Sequence, residues 1–184
     1  MAGGNGAGKS TFYNQYLARY GIQFVNADLI AREIDSEHGE DVSYLAATVA
    51  ARIRADLIAK GISFCFETVF SHESKIDFLA QAKAYGYRII LIYIHLRTSS
   101  LNEARVKQRV SEGGHSVPLQ KIHSRIPRTI KNIKTALTVV DEARLLDNSL
   151  RDDPFRQIVV LKSGNYTDLV SPLPAWAKEF LPHD

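Results

Sequence analysis

Apolar residues recur along the chain at two spacings, and the alternation of the two predicts an α/β protein. Phe12, Tyr16 and Leu17 fall at helical spacing within residues 9–20, and Gly21 ends that run. Residues 22–26 read as a short strand, with Ala27-Asp28 at its carboxyl end and a short helix over about 29–34. After the polar break 37–40, a helix runs from about 41 to 60, with Leu45, Val49, Ile53, Leu57 and Ile58 as its apolar stripe. A buried-type strand over 62–67 ends in Phe66-Glu67-Thr68. Ser71 can cap the next helix, which carries Glu73 in its first turn and closes at Tyr85-Gly86. The run 88–96 is apolar for most of its length, so both faces of that strand are expected to be covered. A helix over about 100–111 precedes the turn Gly113-Gly114-His115, and Val117-Pro118 opens another. Pro127 is expected to kink or break that second helix, whose pattern then resumes to about 143. Asp147-Asn148-Ser149 reads as a polar loop, 157–162 as the last strand, and Trp176 as part of a short closing helix. Strands alternating with helices imply a mostly parallel sheet covered on both faces.

The composition fits that picture. The 184 residues suffice for one α/β domain, and 45% apolar with 23% charged residues is ordinary for a soluble globular chain. No apolar run approaches the length of a membrane span, and no signal-peptide pattern opens the sequence. The single cysteine, Cys65, lies within an apolar run and reads as a reduced strand residue. Together these features lead us to expect a cytoplasmic protein without a membrane partner. The net charge of +3 is compatible with phosphorylated ligands. Basic residues are not interleaved with aromatics, which disfavours nucleic acid.

Candidate chemistry begins at the amino end. The stretch Gly3-Gly4-Asn5-Gly6-Ala7-Gly8-Lys9-Ser10-Thr11 matches G-x-x-x-x-G-K-[ST], the P-loop. Its glycines let backbone N–H groups turn around a phosphate chain, and the helix that follows adds its positive dipole end. Lys9 can reach the β- and γ-phosphates of ATP, and Ser10 can ligate Mg²⁺. Only Met1 and Ala2 precede the loop, so the central strand that normally holds a P-loop is missing from this sequence. A gap, a substitute strand or a distorted loop is therefore expected between the Glu67 strand and the 88–96 strand.

Asp28 and Glu67 converge on the same sheet edge as the P-loop. Asp28 can serve as the general base toward an acceptor hydroxyl, or merely cap the helix after its strand. Glu67 can orient Mg²⁺-bound water or the acceptor, or be a solvated strand-end acid. Between residues 105 and 134 lie Arg105, Lys107, Arg109, Lys121, Arg125, Arg128, Lys131 and Lys134. Most belong to a solvated helical face. One or two arginines of such a segment can close as a lid over a transferring phosphoryl group, and Arg109 and Arg125 flank the Gly-Gly-His turn. His115 has no partner at metal-ligand spacing and reads as a turn residue.

These motifs resemble the zeta-toxin family of P-loop kinases, in the branch with the pattern A-G-P-N-G-A-G-K-S-T, here Ala2 to Thr11. The branch's V-N-A-D is matched at Val25 to Asp28, and its F-E-T-T by Phe66-Glu67-Thr68-Val69. Its lid pattern is matched from Arg109-Val110 through Gly113-Gly114-His115-Ser116-Val117-Pro118 to Ile122 and Arg125, and its D-N-S at Asp147 to Ser149. The resemblance implies a single domain over 1–184 with a three-layer α/β P-loop kinase fold, a mostly parallel sheet lacking its first central strand, and a helical lid over about 105–134. It implies an ATP- and Mg²⁺-dependent phosphotransferase acting on a small-molecule hydroxyl. The best-known members phosphorylate UDP-N-acetylglucosamine and are silenced by an antitoxin protein. By motif position Lys9 would bind phosphate, Asp28 would be the base, and Glu67 with Thr68 would place the acceptor, Glu67 also lying where a metal-associated acid stands. Arg109 and Arg125 would be the lid arginines, with Arg105 and Arg128 as rivals. The sequence departs from the pattern at Gly4, where the branch has Pro, at Val69 for Thr, and at Ile126 for an aromatic. With the missing strand, these departures leave a second reading open: a nucleotide-binding homologue that turns nothing over.

Overall fold

The computed structural model describes residues 1–34, 40–114 and 116–181; His115 lies outside them. The P-loop leads into α1 (Lys9–Phe12), which continues through a π-helical turn (Tyr13–Leu17) and a 3₁₀ turn (Ala18–Tyr20). Gly21, at φ +64°, closes this helical run in the left-handed region, as expected for a glycine after the last turn. Then follow β1 (Gln23–Val25), α2 (Ala27–Ile34), α3 (Glu40–Ala59), β2 (Phe64–Phe66), α4 (Ser74–Ala84), β3 (Ile90–His95), α5 (Ser99–Ser111) and α6 (Leu119–Ala136). The chain ends through β4 (Glu142–Asp147), β5 (Arg156–Lys162), β6 (Asn165–Asp168) and α7 (Ala175–Lys178).

The strands form two sheets. β1 and β2 pair in parallel, and β3-β4-β5-β6 form a second sheet, parallel between β3 and β4 and antiparallel beyond. The sheets meet at Met1 and Ala2. Ala2 forms parallel bridges to Thr68 on one side and Tyr93 on the other. Its N–H donates to the Ile92 carbonyl (2.8 Å), and its carbonyl accepts from the Ile94 N–H (2.9 Å). Met1 accepts from the Thr68 N–H (3.1 Å) and donates to the Phe66 carbonyl (2.7 Å). Two residues thus occupy the upper end of the central-strand position, and no strand pairs β2 with β3 below them among the described residues.

Side-chain alternation along β3 builds the layers. Leu91 and Tyr93 join Leu79 and Ala82 of α4, Ile133 and Ala136 of α6, and Ala177 of α7 in one core. Ile92 and Ile94 point to the other face, where Phe12, Leu17 and Leu101 pack. α3 covers the small sheet by placing Ala50 and Leu57 against Val25, Phe64 and Phe66.

Several local expectations need correction. The strand β4 stands where a helical pattern was expected to run on to about 143. Glu142, Ala143, Arg144, Leu145 and Leu146 favour helix locally, but pairing with β3 and near-complete burial of Ala143, Leu145 and Leu146 decide otherwise. Pro127 does not break α6, which runs through it. Buried Ile122 on one side, and Thr129, Asn132 and Ile133 on the other, anchor both halves against the body of the protein. The buried face of α3 begins with Ala46 and Ala50, whereas Leu45 is half exposed. Small residues let α3 approach the small sheet closely. Ser71 does not cap α4; at that end His72 Nδ1 accepts the Ser74 N–H instead.

Candidate functional site

Two left-handed glycines bend the phosphate loop, Gly6 at φ +76° and Gly8 at φ +93°. A Cβ on Gly8 would lie 2.6 Å from Asn148 Nδ2, and one on Gly3 would lie 2.4 Å from the Ile94 carbonyl oxygen, so the motif's glycines also answer to packing from outside the loop. Two asparagines brace it. Asn102 Nδ2 donates to the Asn5 carbonyl (2.6 Å) and Asn148 Nδ2 to the Ala7 carbonyl (2.9 Å). Asn148 Oδ1 accepts the Phe155 N–H (3.3 Å), tying the loop after β4 to the P-loop. Asn26 caps α2 by accepting the Asp28 N–H (2.8 Å) and the Leu29 N–H (3.3 Å).

That last contact removes the helix-cap reading of Asp28. The cap is Asn26, so the exposed Asp28 carboxylate is not spent on the helix end. Asp28 lines a cavity of about 1550 Å³ together with Asn5, Gly6, Gly8, Lys9, Ser10 and Thr11. Gly3, Gly4 and Ala7 are not among its lining residues; they shape the loop from behind.

Glu67, just past β2, gathers the other end of the site. Its Oε2 accepts from Ser10 Oγ (2.6 Å) and Asn26 Nδ2 (2.9 Å), and its Oε1 lies 3.5 Å from Lys9 Nζ. Lys9 also donates to the Gly4 carbonyl (3.0 Å). A hydroxyl and a carboxylate oxygen therefore sit side by side at the phosphate loop, the hard-oxygen pair that a Mg²⁺ ion shares with nucleotide phosphates. Among the described residues no group of three or more His, Cys, Asp or Glu could hold a metal, so such an ion would depend on phosphate oxygens. Thr68 lines the cavity, and its hydroxyl oxygen accepts the Phe70 N–H (3.0 Å) while its O–H can still donate.

The basic helices face the same space. Arg105, Arg109 and Arg125 line the cavity, while Arg128 does not. Arg105 Nη2 donates to the Asn148 carbonyl (2.7 Å), and Arg125 Nη1 reaches Asn5 Oδ1 (3.4 Å). Burial pulls the Arg125 guanidinium below its ordinary value and neighbouring Arg128 adds to this, while Asp28 opposes it. Arg128 instead bonds back to the Ser124 carbonyl along its own helix (3.0 Å). The Gly113-Gly114 turn folds onto the Arg109 stem: the Gly114 N–H donates to the Arg109 carbonyl (2.8 Å), and a Cβ on Gly114 would lie 2.5 Å from Arg109 Cγ.

Residues 1–126 match the family model described as an AAA domain. The chain belongs to this P-loop family. A Haemophilus influenzae protein described as uncharacterized is 32% identical over 117 residues, covering 62% of this chain and 81% of its own. Among solved structures, a chain of the AvrRxo1-ORF1:ORF2 complex with ATP superposes with a TM-score of 0.73 at 17% identity, over 91% of this chain and 59% of that one. The native complex gives 0.76 at 16% identity, over 97% and 62%. A chain of the PezAT chromosomal toxin–antitoxin system of Streptococcus pneumoniae gives 0.62 at 16% identity, over 86% and 69%. This chain spans about three fifths of the length of the AvrRxo1 relatives. The fold of this P-loop protein is thus shared with toxin–antitoxin and ATP-bound assemblies, as the zeta-toxin resemblance implies.

Sequence reasoning did not single out Asn102, Asn148 or Asn26 as members of this P-loop site. Asn148 stood in the D-N-S motif, but without β4 its place beside the P-loop could not be read. Arg54, Lys75 and Tyr44 also line the cavity and carried no sequence signal beyond their place in helical patterns.

Proposed function

We propose that this protein is an ATP-dependent phosphotransferase that phosphorylates a hydroxyl of a small molecule. The observation that carries the reading is the shared cavity. It brings a braced P-loop, an acid freed from helix capping, a carboxylate on the P-loop serine and three arginines of the α5–α6 segment to one space. In that reading the loop would hold ATP phosphates, and Ser10 and Glu67 would hold a Mg²⁺ ion that would supply charge neutralisation there. Asp28 takes the acceptor proton, and Arg109 and Arg125 meet charge developing on the transferring group. Residues 105–134 act as the lid of a single 1–184 domain. The zeta-toxin resemblance makes a UDP-sugar, with UDP-N-acetylglucosamine first, the acceptor to try. The neighbours' toxin–antitoxin assemblies make a silencing protein the partner to look for.

The test is transfer of labelled phosphate from Mg·ATP to a UDP-sugar panel by wild type and Asp28→Asn. Removal of a positioned base lowers transfer by roughly 10²–10⁴-fold. Unchanged transfer by Asp28→Asn would remove Asp28 from that role. The departures from the kinase pattern at Gly4, Val69 and Ile126 favour a second reading, a nucleotide-binding protein without turnover. Tight ATP binding with no transfer to any acceptor would establish that reading instead.

A further inference from the structure

Arg54 of α3 is 7% exposed and sits in the cavity wall. Its guanidinium lies over the rings of Phe66 (5.2 Å) and Phe78 (5.1 Å), and its buried Nε has no hydrogen-bond partner. Lys75, from the first turn of α4, lines the same wall. No hydrogen bond or ion pair satisfies either cation among the described residues. The nearby acid Glu73 is turned to Lys131 (3.3 Å). Burial and the Arg54 charge both push the Lys75 ammonium below its ordinary value. Two cations held together without an anion are electrostatically unfavourable in a partly desolvated wall.

The cavity wall leading to Lys75 is built, not loose. Phe70 is 1% exposed and holds a left-handed φ of +65°, a conformation that L residues rarely adopt. Three side chains impose it: Thr68 Oγ1 accepts the Phe70 N–H, Asn132 donates to the Phe70 carbonyl (3.0 Å), and Thr129 donates to the Val69 carbonyl (2.8 Å). The segment 68–72, held in this turn, lines the cavity between Glu67 and Lys75. Neither cation belongs to the P-loop or to the α5–α6 segment, where an ATP phosphate chain would find its partners.

We propose that Arg54 and Lys75 form an anion-binding end of the acceptor subsite, taking a phosphate or carboxylate group of the hydroxyl-bearing substrate. The guanidinium, in contact with the two rings, supplies paired N–H donors, and the ammonium supplies a point charge. This assignment rests on the phosphotransferase reading and locates where an anionic acceptor, a UDP-sugar included, would place its charged group.

The test uses the full chain saturated with Mg²⁺ and AMP-PNP, so that the P-loop is filled, and titrates glycerol 3-phosphate, glycerate and uncharged glycerol by calorimetry. Wild type, Arg54→Met, Arg54→Lys and Lys75→Met are compared. We expect one anion to bind wild type well above glycerol and to weaken about 10–100-fold in each Met variant, with partial recovery in Arg54→Lys. Preference for glycerol 3-phosphate names phosphate as the recognised group; preference for glycerate names carboxylate. Equal binding by wild type and both Met variants would overturn the assignment, as would anions binding no better than glycerol. A melting point lowered by more than about 5 °C in Arg54→Met with unchanged anion affinity would make Arg54 a structural cation and also refute it. Lys75→Met, at a half-buried helix surface, keeps the test open if Arg54→Met folds poorly. Failure of wild type to bind AMP-PNP would instead count against the phosphotransferase reading itself.

Discussion

Asn148 is the residue through which the late part of the chain holds the P-loop, and its removal is the most informative perturbation. It is 6% exposed and serves two buried backbone groups, the Ala7 carbonyl at 2.9 Å and the Phe155 N–H at 3.3 Å. Asn148→Ala leaves both unpaired. Each such group costs about 1–3 kcal/mol when water cannot reach it. Ala7 is 1% exposed, but Gly8 and Phe155 line the open cavity, so water can partly replace the lost amide. The expected loss is therefore about 2–4 kcal/mol, not the full sum. For a domain of this length that lowers the melting midpoint by roughly 5–15 °C. Asn148→Asp separates the two contacts. Its carboxylate still accepts from Phe155 but faces the Ala7 carbonyl with an acceptor, so it should destabilise by a similar amount and weaken ATP binding more than Asn148→Ala does. Urea unfolding monitored by circular dichroism, with ATP affinity by calorimetry on the same samples, provides both readouts. If Asn148→Ala unfolds within about 0.5 kcal/mol of wild type and binds ATP normally, the bracing role assigned to Asn148 is wrong.

His95 is 8% exposed, stacks on Trp176 (4.2 Å between ring centroids) and shares a 3.1 Å hydrogen bond with Tyr93; burial holds its imidazole down to about 4, although Asp147 and Glu179 pull the other way. Its folded value lies below its ordinary 6.5, so the unfolded chain takes up a proton the folded one refuses. The protein should therefore lose stability as pH falls from 6.5 toward 4, by about 2 kcal/mol at pH 5 from this group, and His95→Phe should flatten that slope in urea unfolding measured across the window. Gly114→Ala forces a Cβ to within 2.8 Å of the Arg109 carbonyl oxygen, a backbone atom that cannot step aside. We expect it to reduce phosphoryl transfer at least tenfold, while Gly113→Ala, with open space at φ +82°, costs about 1 kcal/mol of stability and little activity. Equal activities of the two variants would show that the turn does not position Arg109.

The P-loop, the carboxylates at the ends of β1 and β2, and the helix–strand alternation could be read from sequence because each is local. A glycine pattern, an apolar period or a strand-end acid is written within a dozen residues. The helical run 9–20 with Gly21 as its stop, the 20-residue α3 and the strand within 88–96 all follow from such local patterns. β4 could not be read in the same way, since its residues favour helix until β3 offers them a ladder and burial. Pro127 likewise signals a break that packing on both sides prevents.

What stands between β2 and β3 could not be read from local sequence. Only the assembled sheets show Met1 and Ala2 bonded to both Phe66–Thr68 and Ile92–Ile94, with no other strand between β2 and β3 among the described residues. Sequence alone determined which chemistry this protein carries: a phosphate loop, two acids and a basic segment. Tertiary structure decided how those groups are used. It made Asn26 and not Asp28 the helix cap, turned Arg125 inward and Arg128 along its own helix, and left Arg54 and Lys75 facing the cavity with no carboxylate partner among the described residues. The reason is physical. Residue type and short-range spacing set what a side chain can do, whereas burial, register and competition for hydrogen-bond partners among distant segments set what it has left to do.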